Sequence, residues 1–282
     1  MDLHVTETSK EDGVAIVRLS RPGRGNSWTK RMNEEYRWLM ASHDADPEVR
    51  VIVVTGAGRQ FCVGADFKAL DHYVDAKQDY VESTNAQVLP QPGHGVREEF
   101  DHEMVWHWGL QKPVIAAING ACAGIAVALA SFCDLRYAAR NVKLTTSTPR
   151  LGLPAEYGLA WILPRIVGLT HAMDILVSGR VLTAEEADRM GWLNGLFDAE
   201  TFDAQVMQIA KNLAKSTSPI AVKTAKRQVY AEILSADVGA AVEDSKRLIG
   251  ELMKFPDYLE GVKSVQEKRL PEFAPLASHS AA

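Results

Sequence analysis

The sequence predicts an α/β fold with an all-helical C-terminal portion. Three observations carry that prediction. Segments patterned as strands alternate with segments patterned as helices up to about residue 198. The run VRVIVVTG (49–56) is apolar without a break, as a strand covered on both faces should be. From Ala199 to Arg269 the pattern is helical throughout. The expected division is a core over 1–198 and a helical region with a tail over 199–282. Such a helical region has to dock on the core or on a neighbouring subunit.

Taken in order, GVAIVRLSR (13–21) reads as a strand and RPGRGN as the loop that ends it. A helix follows from about Thr29 to His43, then the strand at 49–56. GRQFCVGAD is a loop, and a helix is expected from Asp66, whose carboxylate can cap free N–H groups. PQPGHG (90–95) interrupts the chain before a second helical stretch that includes EEFDHEMVWHWGL. KPVIAAI predicts a strand, Asn119-Gly120 a turn, and the small residues beyond it a helix. CDLRYAAR and VKLTT read as strands. GLPAEYGLAWILPRIVG starts as a loop and becomes helical after Tyr157. TAEEADRMG (183–191) is a short helix with a Thr183/Glu186 capping box and a glycine stop. WLNGLFD is the last strand, and the helical remainder breaks near Ser218-Pro219 and Phe255-Pro256.

With 282 residues, 46% of them hydrophobic, the chain can bury a full-sized core. Its net charge of −5, from 31 basic and 36 acidic residues, offers no basic stripe for nucleic acid. Cys62, Cys122 and Cys133 are odd in number and lack CxxC spacing, which points to reduced thiols and a cytoplasmic setting. The N-terminal MDLHVTETSKEDG is polar and does not read as a secretory signal. Nothing from Val114 to Phe132 ionises, and Gly120–Gly124 has GxxxG spacing, so a membrane span has to be considered. The β-branched first half, the turn signal and the helical second half favour two short buried elements, and no membrane partner.

Several motifs are weak. Gly56-Ala-Gly58 follows a strand, but Phe61 stands where a dinucleotide fingerprint has its third glycine. His102 and His107 lie five apart, about 140° around a helix, whereas a shared metal wants four, so no metal site is expected. Cys122 has no obvious base beside it and reads as a small core residue. Two loops share a property: VGAD (63–66) and NGACAG (119–124) each follow a buried strand, consist of small residues and open a helix. Helix starts carry unpaired N–H groups. Two converging starts would supply paired donors for one oxyanion, while close helix packing explains small residues equally well.

FCVGADFKAL, KPVIAAINGACAGIAVALASFCDLRYAA, LGLPAEYGLAWILPRIVG and EGVKSVQEKRLPEF together resemble the crotonase (enoyl-CoA hydratase/isomerase) superfamily, in order from about residue 13 to 273. The resemblance implies a crotonase-like ββα spiral core and a helical C-terminal trimerisation region. It implies homotrimers, or hexamers made of two trimers, and acyl-CoA thioester substrates. No cofactor is implied, since CoA is part of the substrate. The family's oxyanion donors are backbone amides, which fall on Ala65 and on Ile125 just after Gly124. CoA contacts would come from Arg24, Gly64, Asp66, Phe67 and Lys68, with Lys268 and Phe273 reaching a neighbouring subunit's CoA.

The two glutamates of the usual hydratases fall on Ala128 and Thr148, neither of which exchanges a proton near neutral pH. Glu156 matches the single catalytic glutamate of the enoyl-CoA isomerase branch, and its apolar neighbours predict partial desolvation. Its bland alternative is a glutamate complementing a helix dipole. The resemblance therefore implies isomerisation, with hydration by an unrecognised second acid and a non-catalytic acyl-CoA binder as alternatives. The segment from about Leu70 to Gly109 should form a wall of the acyl pocket, with PQPGHG as its lip. His94, Glu98, Glu99 or Glu103 are candidate second acids, and Trp106, Trp108 and Trp161 candidate tunnel or core residues.

Overall fold

The computed structural model describes residues 1–66, 100 and 102–276. Its main sheet has six strands in the order β1 (Thr6–Glu11), β2 (Val14–Leu19), β3 (Val51–Gly56), β4 (Val114–Ile118), β6 (Leu135–Ala139) and β9 (Gly195–Phe197). All neighbours pair in parallel except β1 with β2. A second sheet of three short strands, β5 (Cys122–Ala123), β7 (Lys143–Thr145) and β8 (Leu182–Thr183), packs beside it. Val51 to Val54 are all buried, as the unbroken apolar run requires. Burying each such side chain contributes roughly 1.5–3 kcal/mol.

β1 was not expected. TETSKE carries no apolar alternation, and only Thr6 is buried. The strand exists because Asp12 and Gly13, both at positive φ, form a two-residue hairpin turn that returns the chain along β2. As an edge strand it needs one covered face only, and Lys10 on it pairs with Asp46 and Glu48.

Helix α1 (Lys30–Ala45) begins where the Thr29 hydroxyl accepts from the Met32 N–H. The stretch EEFDHEMVWHWGL, expected as helix, is corrected over its described residues. Met104 sits at φ 62, and only Val105–Gly109 coil, as a 3₁₀ turn. The physical reason is burial on two sides. Trp106 packs against Tyr36 and Trp108 against Phe132, which an α-helical spacing of two residues cannot serve with one face. His107 is fully buried, with Nε2 accepting from the Tyr36 hydroxyl at 2.7 Å and Nδ1–H donating to the Met104 carbonyl. Burial pushes this imidazole down to about 3, so it is neutral.

The uncharged run at 114–132 resolves into β4, a turn, β5 and α2 (Ile125–Phe132), all of whose residues are buried. Helix α3 (Leu159–Ser178) is the one described helix long and apolar enough to cross a bilayer. It is broken at Gly168 (φ 76, ψ 161), and Leu159, Ile162, Leu163 and Val167 are buried within the fold. Helix α4 (Ala184–Arg189) carries the expected capping box, both halves present.

Four helices close the chain: α5 (Phe202–Ser216), α6 (Pro219–Glu232), α7 (Val238–Leu252) and α8 (Pro256–Glu267). The breaks at Pro219 and Pro256 fall where expected. A further break before α7 is marked by Asp237, whose carboxylate caps the Ala240 N–H. Helix α5 lies on the sheet with Phe202, Val206, Ala210 and Ala214 buried. Helix α6 is pinned to the core by a polar knot. Lys226 Nζ donates to Asp134 at 2.8 Å and to the Lys112 carbonyl at 2.9 Å, and the Tyr230 hydroxyl donates to Asp134 at 2.8 Å. The Tyr230 ring stacks on Trp108 at 4.4 Å.

Candidate active site

The parallel strands end on one side of the sheet, the usual place for a ligand crevice. There the loop after β3 and the loop after β4 are stitched together. The Asn119 amide donates to the carbonyls of Gly56 (3.0 Å) and Gly58 (2.9 Å) and accepts from the Gly56 N–H. Buried Asn26 does the same from the loop after β2, donating to the carbonyls of Ala57 and Gln60 and accepting from the Arg21 N–H. Cys62 and Cys122 form a parallel bridge, both fully buried. Burial pushes the Cys122 thiol well up, leaving it an inert core group. At Gly120 a Cβ would lie 1.9 Å from the Arg59 carbonyl, so only glycine lets the two loops cross.

The stitching fixes two N–H groups. Trp28 N–H donates to the Gly64 carbonyl and Asp66 N–H to the Trp28 carbonyl. The Ala65 N–H between them faces the other way by strand alternation and has no hydrogen-bond partner among the described residues. Gly124 precedes α2 at φ 54, ψ −123, with its own N–H given to Thr145. The Ile125 N–H, first of the helix, likewise has no partner among the described residues. The two turns touch, because a Cβ on Gly124 would lie 3.9 Å from the Gly64 Cα and one on Gly64 would lie 3.2 Å from the Ala123 carbonyl.

Glu156 closes the third side. Its Oε2 lies 3.1 Å from where a Gly124 Cβ would stand, is sealed from solvent, and has no hydrogen-bond partner among the described residues. Burial pushes its carboxyl above the ordinary carboxylate value. The carboxylate makes no bond to the start of α3, whose N-cap, Gly158, carries no side-chain cap, so dipole complementation does not account for it. Tyr157, at φ 42, and Gly158 turn the chain into α3, with the Phe132 ring 3.2 Å from the Gly158 Cβ position. Two touching turns, each with an N–H unpartnered among the described residues, beside a desolvated carboxyl can polarise a carbonyl and move a proton near it.

The remaining predicted residues are distributed as follows. Ala128 is fully buried inside α2. Thr148 is buried at the start of a 3₁₀ turn (Thr148–Leu151), its hydroxyl unpartnered among the described residues. Arg24 is exposed beside the loops and makes no ion pair among the described residues. Asp66 pairs with Arg21 at 2.9 Å and accepts from the Ser27 hydroxyl, so its carboxylate holds the loop. Glu103 meets Arg37 at 3.6 Å. Trp108 packs against both Phe132 and Trp161 behind the Glu156 loop. Phe67, Lys68, His94, Glu98, Glu99 and the PQPGHG lip lie outside the described residues. Phe273 is not brought to these loops. Its carbonyl accepts from Arg50 at the start of β3, the opposite end of the sheet, and Lys268 caps α8 nearby in the left-handed region.

Sequence reasoning passed over Arg59 and the staple role of Asn26. Arg59 is exposed, and its loop meets the one that carries Arg24 where the Gly58 Cβ position comes within 3.3 Å of Pro22. The available signal was its place in the GAGRQF turn after a buried strand. Among the described residues no three His, Cys, Asp or Glu side chains come together as a metal set.

Comparison with known proteins bears on the whole chain. A family model described as enoyl-CoA hydratase/isomerase matches residues 9–275. The chain is 33% identical to the 1,2-epoxyphenylacetyl-CoA isomerase of Escherichia coli (strain K12), covering 93% of this chain and 95% of that protein. It is 32% identical to a probable enoyl-CoA hydratase of Rhodobacter capsulatus, over 97% and 99% of the two chains. Its structure superposes on an enoyl-CoA hydratase from Bacillus anthracis with a TM-score of 0.83 at 27% identity, covering 96% and 99%. With the crotonase fold, the stapled loops after β3 and β4 and a match over nearly its full length, the chain belongs to the enoyl-CoA hydratase/isomerase family of enzymes acting on acyl-CoA.

Proposed function

We propose that the protein is an enoyl-CoA isomerase using a single carboxylate, Glu156. The observation that carries this reading is the Glu156 Oε2, buried, packed against Gly124 and unpartnered among the described residues. The thioester carbonyl accepts from the N–H groups of Ala65 and Ile125. Glu156 takes a proton from carbon, the electron pair moves through the enolate onto the thioester oxygen, and the two N–H groups stabilise the charge. The same carboxyl then returns the proton to a different carbon, shifting the double bond with no net gain or loss of atoms. Removing one such donor costs about 3 kcal/mol of barrier in comparable sites. Arg24 meets the CoA phosphates, Gly64 and Asp66 flank the turn that carries the Ala65 N–H, and Phe67 and Lys68 are assigned to the adenine and phosphate region of CoA. Neither metal nor cofactor takes part.

Hydration is the second reading, favoured by the hydratase names of several relatives, among them the (E)-benzylidenesuccinyl-CoA hydratase of Thauera aromatica. It requires a second acid, because Ala128 and Thr148 cannot serve. Assays of 2-enoyl and 3-enoyl thioesters with wild type and Glu156→Gln separate the readings. Isomerisation predicts interconversion of the two series without hydroxyacyl product and a loss of about 10²–10⁴-fold in the variant. Undiminished turnover in Glu156→Gln overturns the role of the residue.

We assign self-association, as a trimer or a dimer of trimers, to the 199–282 region. Helix α7 has no buried residue, and Val238, Val242, Ile249 and Met253 line up on one exposed face. On α8, Leu259, Val262 and Val265 are exposed as well. Phe273 and Lys268, remote from the site of their own subunit, would then serve another's.

A further inference from the structure

We propose that Arg21 is a positioning residue for the reaction: by gripping Ser27 and Asp66 at once, its guanidinium fixes the direction of the Ala65 N–H. The proposal rests on the reading of Ala65 and Ile125 as donors to a thioester oxygen and goes beyond it in naming what aims the first of them. Ala65 is held in a bridge only one residue long, with Trp28 opposite it in parallel. The bridge has two hydrogen bonds, from the Trp28 N–H to the Gly64 carbonyl at 2.7 Å and from the Asp66 N–H to the Trp28 carbonyl at 3.0 Å. Arg21, just beyond β2, reaches across it. Its Nη1 donates to the Ser27 carbonyl at 2.8 Å and to Ser27 Oγ at 2.9 Å, while Nη2 meets Asp66 Oδ2 at 2.9 Å. The Ser27 hydroxyl donates to the same carboxylate oxygen at 3.2 Å. One planar cation thus joins the residue before Trp28 to the residue after Ala65.

The two donors are secured in different ways. Ile125 opens a helix all of whose residues are buried, so the packing of α2 fixes its N–H. Trp28 is likewise fixed by the core, its buried indole edge-on to Tyr36 at 5.6 Å. Ala65 has no comparable anchor. Its side chain is one methyl, and Gly64 before it sits at φ 99, a region that glycine enters freely. The Gly64 carbonyl and the Ala65 N–H share one planar peptide unit, so any pivot at Gly64 swings the donor with it. What limits the pivot on the far side is Asp66. Its carboxylate and the Arg21 guanidinium are both mostly buried, which leaves the pair less screened than one on the surface. The arginine fork also fixes direction as well as distance, whereas lysine would place the same charge on a single nitrogen. Arg21 is itself tied down, its N–H donating to Asn26 Oδ1 at 2.8 Å and its carbonyl accepting from the Asn26 N–H at 3.0 Å. The clamp is therefore continuous with the Asn26 staple that joins the loops after β2 and β3.

The test reads the donor itself. Infrared difference spectra of butyryl-CoA, isotope-labelled at the thioester carbonyl, give the stretch of that carbonyl free and bound for wild type, Arg21→Met and Arg21→Lys. Wild type should lower the stretch on binding. Both variants should bring it back toward its value in water, with the dissociation constant within about threefold of wild type, because only the aim of one donor is lost. On trans-3-hexenoyl-CoA, kcat should fall about 10–10²-fold at unchanged KM, as expected for a donor displaced by up to about 1 Å. A raised KM with full kcat would make Arg21 a CoA contact and overturns the proposal. So does a bound stretch in Arg21→Lys equal to that of wild type. A merely structural role shows as fewer binding sites with an unchanged stretch, which overturns it as well. If Arg21→Met does not fold, Arg21→Lys, which keeps the charge beside Asp66, carries the same test. A wild type that gives no shift removes the donor reading, and the proposal with it. A wild-type shift that the variants lose supports the clamp even where hexenoyl-CoA is not turned over, so failure of the isomerase reading stays distinct from failure of the clamp.

Discussion

Replacing Gly124 by alanine strikes the point where both loops and the carboxylate meet. The backbone there is at φ 54, ψ −123, a conformation that costs an L-residue about 1–3 kcal/mol. The new Cβ would also stand 3.1 Å from Glu156 Oε2, tighter than ordinary contact, so the carboxylate has to yield by a few tenths of an ångström. At about 2–4 °C per kcal/mol for a chain of this size, the melting temperature should fall by about 2–12 °C. The Ile125 N–H follows directly, so any relaxation of the strain re-aims that donor. Loss of one donor in comparable sites lowers kcat by about 10²–10³-fold. Differential scanning calorimetry and initial rates on the best enoyl thioester measure the two effects separately. A Gly124→Ala protein with wild-type melting temperature and wild-type kcat would refute both the strain assignment and the placement of catalysis at this turn.

Three further outcomes follow from the same coordinates. The Glu156 carboxyl is raised in the folded state by burial, so folding binds its proton more tightly than the unfolded chain does. Its contribution to stability is fully present below the ordinary carboxylate pKa and is lost as pH rises through the folded value. Glu156→Gln should therefore flatten stability against pH in that window, measured by chemical denaturation, and no change in slope would contradict the shift. Tyr36→Phe leaves His107 Nε2 without its donor in a fully buried position and should cost about 1–3 kcal/mol by urea unfolding. A neutral result would mean that water or rotation replaces the bond. Finally, Val238→Lys with Ile249→Lys should convert a trimer or hexamer to smaller species in light scattering, and an unchanged mass would place the subunit contact elsewhere.

Much of this architecture was legible because burial writes itself into sequence. The unbroken VRVIVV run and the Thr183/Glu186 box each have one dominant physical cause, and each element falls where that cause puts it. The candidate site was traced in outline from the same kind of signal, since small residues before a helix and a lone carboxylate among apolar neighbours narrow the chemistry. What escaped obeys different rules. β1 shows no hydrophobic alternation, its place being set by the Asp12-Gly13 turn and by Glu35, which accepts from the His4 and Val5 N–H groups and the Thr6 hydroxyl. The tryptophan segment at 105–109 mimics a helix in composition, yet its two indoles serve opposite walls, which is a tertiary demand. The staples made by Asn26 and Asn119 bond to carbonyls more than thirty residues away, and no local pattern reports such partners.

The knot that Lys226 and Tyr230 tie around Asp134 has a bearing on how this chain can be divided. Asp134 sits between α2 and β6, Tyr230 lies flat on the indole behind the Glu156 loop, and α5 roofs the sheet. Cutting at the 198/199 boundary would strip the roof from four strands and strand a carboxylate in the interior. Sequence composition draws a seam there, but melting should proceed across it as a single cooperative event, and neither half would survive as an autonomous module.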